Sequence, residues 1–419
     1  MLNKSVFTIY VFFVCISLFN MQVFADELNI LISDEIEVSI EKTPANGEFL
    51  MLWLAPEYGF REAHSVLAKQ LSDNNIEVWQ GDIVESLFLP QGTRSIKQLK
   101  GTYVADIVEY AHKLTGKKIV LAGDSYASLL ALTGAHQWQK RSLNSEYLVG
   151  AILFSPYMYE YIPPLGLDPV FMPIASSTNI PIIIYQTKDS GNIGQFSQLL
   201  ENLQKNGSPV YTKIIPGIMS LFYKELPTDD MLEQIHLLPT NIVNMLSVIE
   251  KHKVPDHAIS MNILDNNKSG VDIKLKTFKG KAKPFSINLE DVHGNKVVKK
   301  EFYNKVTVVN FWATWCPPCV EEIPSLNRLK KSMKGLPFEL ISINYAEDKA
   351  EILDFMGKVN VEFPVLLDKN GFFSKQWNVI TFPSTFIIDT NGQIKYGVNA
   401  AIEWDSPETI QKIKLLMKH

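Results

Sequence analysis

The amino-terminal half of the chain alternates short apolar runs with longer amphipathic stretches, and this pattern restricts the fold more than any other feature. Short apolar runs predict buried strands, whereas apolar residues at helical spacing predict helices that cover a core. Their alternation favours an α/β fold built on a mostly parallel sheet with helices on both faces. The predicted strands are 49–54, 76–80, 118–122, 149–154, 180–185 and 209–215. The predicted helices are 61–74, 102–114, 128–139, 193–206 and 229–252.

A polar segment interrupts this pattern at residues 253–280. The segment has little periodicity and several turn-forming residues, so we expect a linker there. The length of 419 residues also exceeds one ordinary domain of roughly 150 residues, so two domains are expected, at 26–252 and 281–419. The predicted elements of the second domain are a hairpin at 285–298, strands at 306–311 and 338–344, helices after 316 and at 349–359, and strands near 363 and 386.

The amino terminus has the three parts of a signal peptide. Lys4 supplies the positive charge, residues 6–19 are apolar, and residues 23–25 end in the small Ala25. The apolar stretch is shorter than the roughly 20 residues that cross a bilayer as a helix. We therefore expect residues 1–25 to direct export and to be cleaved, which would remove Cys15. The alternative is an uncleaved membrane anchor.

The overall composition is that of a globular protein that can fill its own cores. Apolar residues make up 46% of the chain and charged residues 20%. The formal net charge of −5 provides no basic surface for nucleic acid, and no run of Lys and Arg is present. Nucleic acid is therefore not an expected partner.

Cleavage at Ala25 would leave Cys316 and Cys319 as the only thiols. A secreted domain that depends on disulfides for stability uses several of them, so one close pair predicts redox chemistry instead. The run VTVVNFWATWCPPC predicts a strand that leads into a helix with Cys316 at its tip. A helix N-terminus favours thiolate, so Cys316 would attack a substrate and Cys319 would resolve the mixed disulfide.

The pair has three other interpretations. A zinc site would need two more ligands, and this half of the chain offers only His293 and His419. A purely structural bridge across so short a loop would stabilise the chain by only about 2 kcal/mol. The pair could also belong to an inactive remnant of a redox domain. We expect neither a metal ion nor a cofactor.

Residues 281–419 resemble the TlpA/ResA branch of periplasmic thiol:disulfide oxidoreductases, which have a thioredoxin fold. The resemblance rests on PFSINLEDVHGNKV, VVNFWATWCPPCVEEIPSLNRL, FPVLLDKNGFFSKQWNV and TFPSTFIIDTNGQI. It implies that Pro383 is the cis-proline facing the thiols and leaves the Phe382 backbone free to pair with substrate. It also implies that Glu322 manages the proton of the resolving thiol. Asn310 stands where many thioredoxins keep a buried aspartate.

The same resemblance implies a location and partners. Relatives act in the periplasm as reductants and receive electrons from a membrane relay of the DsbD or CcdA kind. Their substrates are exported thiol proteins, including the cysteines of apocytochrome c. The redox potential does not follow from the sequence, because related proteins differ by more than 100 mV.

A serine motif in the first half suggests a second chemistry. In KIVLAGDSYASLLAL, Gly123 and Ala127 flank Ser125 with the small residues that a sharp strand-to-helix turn needs. Residues 45–250 thereby resemble the α/β-hydrolase fold. Asp189 takes the position of the family acid, but no histidine follows at 217–220, and His236 comes late within a predicted helix.

A serine without a base is a poor nucleophile, so the first domain is expected to bind a substrate or partner rather than to hydrolyse. Two alternatives stay open. One is a serine hydrolase that uses Ser125 and Asp189, with His236 as the candidate base. The other is a non-enzymatic binding module in which both sites are vestigial.

Overall fold

The computed structural model describes residues 26–141, 146–161, 165, 168–223, 226–261 and 274–417. The predicted signal peptide and residues 262–273 of the predicted linker lie outside these ranges. Among the described residues, none of the helices combines the length and the hydropathy that crossing a bilayer requires.

The first half of the described chain forms a mixed sheet. Its strands are β1 (Asp26–Ile32), β2 (Ile36–Thr43), β3 (Phe49–Leu54), β4 (Ile76–Gly81), β5 (Lys118–Asp124), β6 (Leu148–Phe154), β7 (Tyr159–Tyr161), β8 (Val170–Phe171), β9 (Ile182–Thr187) and β10 (Val210–Ile215). Eight of them pair in the order β1-β2-β4-β3-β5-β6-β9-β10, and β7 and β8 form a separate hairpin. Strand β2 is antiparallel to both neighbours, and the pairs from β4 to β10 are parallel.

Helices cover both faces of this sheet. They are α1 (Glu62–Asp73), α2 (Ile83–Ser86), α3 (Thr93–Gln98), α4 (Gly101–Thr115), α5 (Ala127–Arg141), α6 (Phe196–Gln204) and α7 (Asp229–Ile249). Leu52 of β3 belongs to a core that includes α4, α5 and α6. The next residue, Trp53, belongs to a core on the opposite face with α1 and α7. Because both faces are covered, the central strands are apolar throughout, as the sequence pattern predicts.

The second half forms another mixed sheet. Its strands are β11 (Lys276–Thr277), β12 (Ile287–Asp291), β13 (Lys296–Lys299), β14 (Val306–Trp312), β15 (Phe338–Tyr345), β16 (Val365–Asp368), β17 (Ser384–Ile388) and β18 (Ile394–Val398). Its helices are α8 (Pro317–Ser332), α9 (Lys349–Lys358), α10 (Phe372–Gln376) and α11 (Pro407–Leu415). The strand order is β11-β18-β17-β14-β15-β16-β12-β13, which places β14 near the centre. The predicted hairpin is confirmed, since β12 and β13 pair antiparallel and Gly294 in the turn has φ +89°.

The two halves pack directly against each other. Leu165, from the first half, is buried in an apolar cluster of the second. The side-chain amide of Gln195 donates to Oδ1 of Asn378 at 2.9 Å, and the hydroxyl of Tyr345 donates to the carbonyl oxygen of Asp189. The start of the predicted linker lies against the first half, where Gln139 donates to the Pro255 carbonyl at 2.9 Å. The carboxyl ends of β5 and β14 consequently border a common space.

Candidate active site

The cysteine pair lies where β14 ends. Every residue of β14 is buried, and the strand pairs with β15 on one side and β17 on the other. Helix α8 begins at Pro317 with Cys316 as its N-cap residue. The prolines of the first turn cost no hydrogen bond, because the first N–H groups of a helix have no acceptor within it. The fold therefore holds Cys316 at the positive end of the α8 dipole.

Cys316 and Cys319 are joined by a disulfide, and their Cα atoms are 5.3 Å apart. The backbone N–H of Cys319 donates to Sγ of Cys316 at 3.3 Å. A donor in this position favours a thiolate on Cys316 once the bond is reduced. Cys316 is 4% exposed and lines a cavity, whereas Cys319 is 1% exposed and does not line it. Cys316 is thus the sulfur that an incoming group can reach.

The segment opposite the disulfide contains a cis peptide bond between Phe382 and Pro383. The Phe382 ring lies 5.9 Å from the Trp315 ring and 4.6 Å from the Tyr345 ring, measured between centroids. Phe382 and Trp315 both line the same cavity as Cys316. The residues that the sequence associates with the thiol site therefore surround it on two sides.

Glu322 is buried one helical turn after Cys319. Its two carboxylate oxygens accept hydrogen bonds of 2.8 Å each, one from the side-chain amide of Asn310 and one from the indole N–H of Trp404. Burial raises the pKa of Glu322 to about 7, although these donors oppose the rise. The carboxyl can therefore gain or lose a proton near neutral pH, next to the buried sulfur.

Glu347 is a second buried acid near the thiols, and the sequence analysis missed it. It accepts hydrogen bonds from the backbone N–H and the hydroxyl of Thr314 and from the side chain of Asn344. Burial raises its pKa. Glu347 follows β15, which is the parallel neighbour of β14. A correct prediction of that strand pairing would have placed Glu347 at the same edge of the sheet as Cys316. Its contacts fix the turn that precedes Cys316.

The serine motif forms the sharp turn between β5 and α5. Ser125 has φ +50°, a left-handed conformation that is uncommon for a residue with a side chain. Its backbone N–H donates to the Phe154 carbonyl at 3.0 Å, and its carbonyl accepts from Tyr157 N–H at 3.0 Å. A Cβ on Gly123 would lie 2.7 Å from the Ala127 backbone, which explains the glycine. The neighbouring strand β6 therefore holds Ser125 in its strained conformation.

The partner of Ser125 is Glu57, which the sequence analysis did not identify. The Ser125 hydroxyl donates to Oε1 of Glu57 at 2.8 Å, and the Tyr126 backbone N–H approaches Oε2 at 3.4 Å. Burial raises the pKa of Glu57 to about 7. Glu57 follows β3, the parallel neighbour of β5, so its position at this edge follows from the strand order. Its carboxyl fills the space in front of the Tyr126 N–H.

The structure does not bring Asp189 and His236 to the serine. The backbone carbonyl of Asp189 accepts from Tyr345, and burial raises the pKa of its carboxyl. His236 lies exposed on α7, where its Nδ1 accepts from the side-chain amide of Gln70. Among the hydrogen bonds of the described residues, neither side chain contacts Ser125.

A different histidine lies close to the serine turn. His64 is fully buried, and its Nδ1 accepts from the Arg61 backbone N–H at 2.8 Å. The ring proton is therefore on Nε2, which donates to Asp124 at 3.2 Å. His64 thus holds the residue that precedes Ser125, and among the described hydrogen bonds it does not reach the serine hydroxyl. The described part of the chain consequently has no histidine that could act as base for Ser125.

A single cavity of about 320 Å³ joins the two sites. Its wall includes Glu57 and Ser125 from the first half and Trp315, Cys316 and Phe382 from the second. Groups of at least three His, Cys, Asp or Glu side chains that could hold a metal ion do not occur among the described residues.

A central strand that leads into a cysteine pair at a helix tip, opposite a cis-proline, defines a thioredoxin-like redox domain. Residues 253–412 match the protein family described as Redoxin. The match begins ahead of the predicted domain start at 281 and includes the whole predicted linker.

Relatives and solved structures are similar to part of the chain. The thiol-disulfide oxidoreductase ResA of Bacillus thuringiensis subsp. konkukian is 36% identical over 104 residues, which are 25% of this chain and 60% of that protein. ResA of Bacillus subtilis is 33% identical over 106 residues, 25% of this chain and 59% of that protein. The chain thus spans about 60% of the length of these curated relatives.

Among solved structures, StoA from Bacillus subtilis has a TM-score of 0.28 at 22% identity, with 32% of this chain and 98% of that chain covered. A DsbF homologue from Corynebacterium diphtheriae has a TM-score of 0.30 at 18% identity, with 38% and 99% covered.

Proposed function

We propose that the protein is a thiol:disulfide oxidoreductase that reduces protein disulfides through Cys316 and Cys319. The observation that carries this proposal is the asymmetry of the pair. Cys316 caps a helix and lines an open cavity, whereas Cys319 is buried behind it. An attacking thiol needs access and a stabilised thiolate, and a resolving thiol needs only to reach its partner.

The reaction starts from the dithiol form. The Cys316 thiolate attacks one sulfur of a substrate disulfide, a mixed disulfide forms, and the other substrate sulfur leaves and takes up a proton. Cys319 then loses its proton and attacks Cys316, which restores the internal disulfide and releases the second substrate thiol. Two electrons pass to the substrate, and a dithiol donor must return them in the next cycle.

Two further residues have proposed roles in this sequence. Glu322 accepts the Cys319 proton during resolution, which its burial one turn away and its pKa of about 7 support. The segment at Phe382 and Pro383 holds the substrate chain next to Cys316, which the place of Phe382 in the wall of the cavity supports.

We further propose that the protein is exported and acts in the periplasm. The signal-peptide pattern at residues 1–25 supports export. Its substrates would be exported thiol proteins, with apocytochrome c as a candidate, and its electron donor a membrane relay of the DsbD or CcdA kind. The relatives named thiol-disulfide oxidoreductase support thiol proteins as the substrate class.

The first half, residues 26–252, is proposed to be a hydrolase-like domain that binds substrate without hydrolysing it. The strained serine turn after β5 and the parallel strands around it support the hydrolase-like fold. The contacts of Glu57 argue against acyl transfer, because its carboxyl lies where an oxyanion would need the Tyr126 N–H.

Trapping of mixed disulfides tests the thiol-exchange proposal. In Cys319→Ser the resolving thiol is absent, so Cys316 should retain its substrates as stable mixed disulfides that mass spectrometry identifies. The matched control is Cys316→Ser, which leaves one buried cysteine and should trap nothing. Equal adducts in the two variants, together with no reduction of a disulfide by the reduced wild type, would show that the proposal is wrong.

The alternative of a serine hydrolase is favoured by one observation, the strained conformation of Ser125. A fluorophosphonate probe would then label the wild-type protein, and Ser125→Ala would abolish the label. We expect no labelling of either protein, since Ser125 has a carboxyl partner and, among the described residues, no histidine base.

A further inference from the structure

The two halves of the protein contribute to the same cavity, so the thiol site is not complete in the second half alone. Ser125 and Glu57 lie on one wall and Cys316 on another. The hydrolase-like residues therefore face any molecule that reaches the attacking sulfur. A role for them in substrate recognition needs no catalytic histidine.

The first half also restricts access to Cys316. The Tyr223 ring packs edge-on against Trp315 with centroids 5.5 Å apart. A side chain at Gly191 would lie only 3.4 Å from the carbonyl oxygen of Ile380, so the backbones of the two halves are close at this wall. The cavity volume of about 320 Å³ is at the lower end for small-molecule pockets. The part of a substrate that fills the cavity must therefore be small.

The chemistry of the wall indicates what kind of small molecule fits. Glu57 has hydrogen-bond donors but no ion pair with Lys or Arg among the described residues. Lys97 is half-buried and interacts with the charge of Glu57, but its ammonium lies 5.0 Å from the Tyr126 ring centroid and donates to the Glu160 carbonyl. Arg61 also lines the cavity but forms no ion pair with Glu57 among the described residues. A buried carboxyl without a direct ion pair is stabilised by a ligand that brings a positive charge into contact with it.

The second half offers a donor beside the sulfur. The indole N–H of Trp315 is buried and has no acceptor among the described residues. Trp315 precedes Cys316 and lines the cavity with it. A buried N–H without a partner costs free energy, which a ligand oxygen close to the reacting sulfur would recover.

From these contacts we propose that the cavity binds a small disulfide with a free amino group, such as an amino-acid or short-peptide disulfide. The ammonium group binds Glu57 and Ser125, a carbonyl or carboxylate oxygen accepts from Trp315, and a sulfur atom meets Cys316. This proposal rests on the proposed thiol exchange and adds small disulfides to the protein disulfides as substrates of the same site. Residues of the first half then determine which substrates the redox site accepts.

The reaction balances without a further reagent once the protein is in its dithiol form. Cys316 forms a bond to one sulfur of the small disulfide, and the first small thiol leaves with a proton. Cys319 displaces the second small thiol, which also takes up a proton. One dithiol is oxidised, one disulfide is reduced to two thiols, and two electrons are transferred.

The test compares three small disulfides as substrates of the reduced full-length protein. Cystamine carries two ammonium groups, 2-hydroxyethyl disulfide is neutral and 3,3′-dithiodipropionate carries two carboxylates. Each second-order rate constant is divided by that of dithiothreitol with the same disulfide, which removes differences in intrinsic reactivity. We expect the wild type to prefer cystamine over the neutral disulfide by about tenfold, as a partly buried charge pair provides. Dithiodipropionate should be the slowest.

Glu57→Gln should lose most of the preference for cystamine, because the amide keeps the hydrogen-bonding shape without the charge. The matched control is Glu62→Gln, which removes an exposed charge near the start of α1 and should retain the preference. Equal normalised rates for the three disulfides with the wild type would overturn the proposal even if Glu57→Gln does not fold. A preference retained in folded Glu57→Gln would overturn it too. In both cases reduction of 2-hydroxyethyl disulfide would still uphold thiol exchange, whereas no reduction of any disulfide would reject the proposed function itself.

Discussion

At the scale of single residues, two buried carboxyls are expected to make the stability of the fold depend on pH. Glu322 and Glu57 each have a pKa raised to about 7 by burial. Glu322 has Asn310 and Trp404 as donors, and Glu57 has Ser125. None of these donors carries a charge that would bring the pKa back to its ordinary value. Each carboxyl therefore gains or loses its proton near neutral pH.

The first prediction concerns the stability contributed by Glu322. Its pKa is about 7 in the folded protein against an ordinary 4.5, so the folded state binds more protons between these pH values. The free energy of unfolding should therefore fall as pH rises through this range, by about 3 kcal/mol from this group. The contribution is fully present below pH 4.5 and lost above pH 7. Urea unfolding at pH 5 and pH 8 should show a smaller difference for Glu322→Gln than for the wild type.

The neighbouring Glu321 provides a matched control for this measurement, because it is exposed on the same helix. Glu321→Gln should keep the pH dependence of the wild type. A residual slope in Glu322→Gln is expected from Glu57, whose pKa is raised in the same direction. Identical slopes in the wild type and Glu322→Gln would show that Glu322 stays ionised in the fold.

Residue-scale prediction from sequence is easier where a short motif carries the signal than where the chemistry depends on distant contacts. The disulfide of Cys316 and Cys319 and the cis bond at Pro383 follow short motifs. Glu57 and His64 went unnoticed because their partners are 68 and 60 residues away in the chain. No periodic sequence pattern marks a carboxyl such as that of Glu57, whose partner comes from a distant loop.

At the scale of elements, the strands buried on both faces were the easiest to predict. Strand β3 occupies 49–54 as predicted, since an apolar run flanked by turns has no other stable environment. The antiparallel hairpin of β1 and β2 was missed. Strand β2 alternates buried apolar residues such as Val38 with exposed charged residues such as Glu37 and Glu41. The alternation leaves no continuous apolar run that would mark a buried strand. The strand order, with β4 before β3, is set by packing of the crossover helices and not by any local signal.

The second prediction concerns the close packing of α4 and α5. A Cβ at Gly134 would lie 2.6 Å from the Cβ of Val104, so the Val104 side chain packs directly on the backbone of α5 at Gly134. Gly134→Ala should therefore lower the free energy of unfolding by about 2 kcal/mol through overpacking, despite the better helix propensity of alanine. Chemical denaturation of the oxidised protein measures this change.

The control for that substitution is Gly357→Ala in α9. A Cβ at Gly357 meets nothing within 4 Å, so only the propensity gain remains. This variant should be more stable than the wild type by up to about 1 kcal/mol. If Gly134→Ala gained stability to the same extent, the close contact between α4 and α5 would not exist in solution.

At the scale of the whole molecule, the central feature is the packing of a redox domain against the α/β first half, with a cavity lined by residues of both. The sequence predicted the thioredoxin-like domain and the strand–helix alternation of the first half, but not this arrangement. The contacts that create it, such as Gln195 with Asn378 and Leu165 in the second core, are few and come from loops. Loops carry little periodic signal, so their partners cannot be read from pattern alone.

The third prediction tests that packing through the accessibility of Cys316. Tyr223→Ala removes the ring that packs against Trp315. Such an aromatic pair contributes about 1 kcal/mol, so the open form should become about fivefold more populated. In the reduced protein, a bulky maleimide should then alkylate Cys316 about fivefold faster relative to iodoacetamide.

Tyr110→Ala is the control for the alkylation measurement, because Tyr110 is partly exposed on α4 and does not line the cavity. Its ratio of maleimide to iodoacetamide rates should equal that of the wild type. An unchanged ratio in Tyr223→Ala would mean that the first half does not limit access to the thiol.

The cover that the first half places over Cys316 applies to the electron donor as much as to the substrate. The proposed donor protein has to bring its own cysteines past this cover to reach the disulfide. Reduction of the Cys316–Cys319 disulfide therefore requires either that the two halves separate in every cycle or that the donor inserts a narrow segment into the cavity. The opening of the cavity thus selects the proposed electron donor as well as the molecule to be reduced.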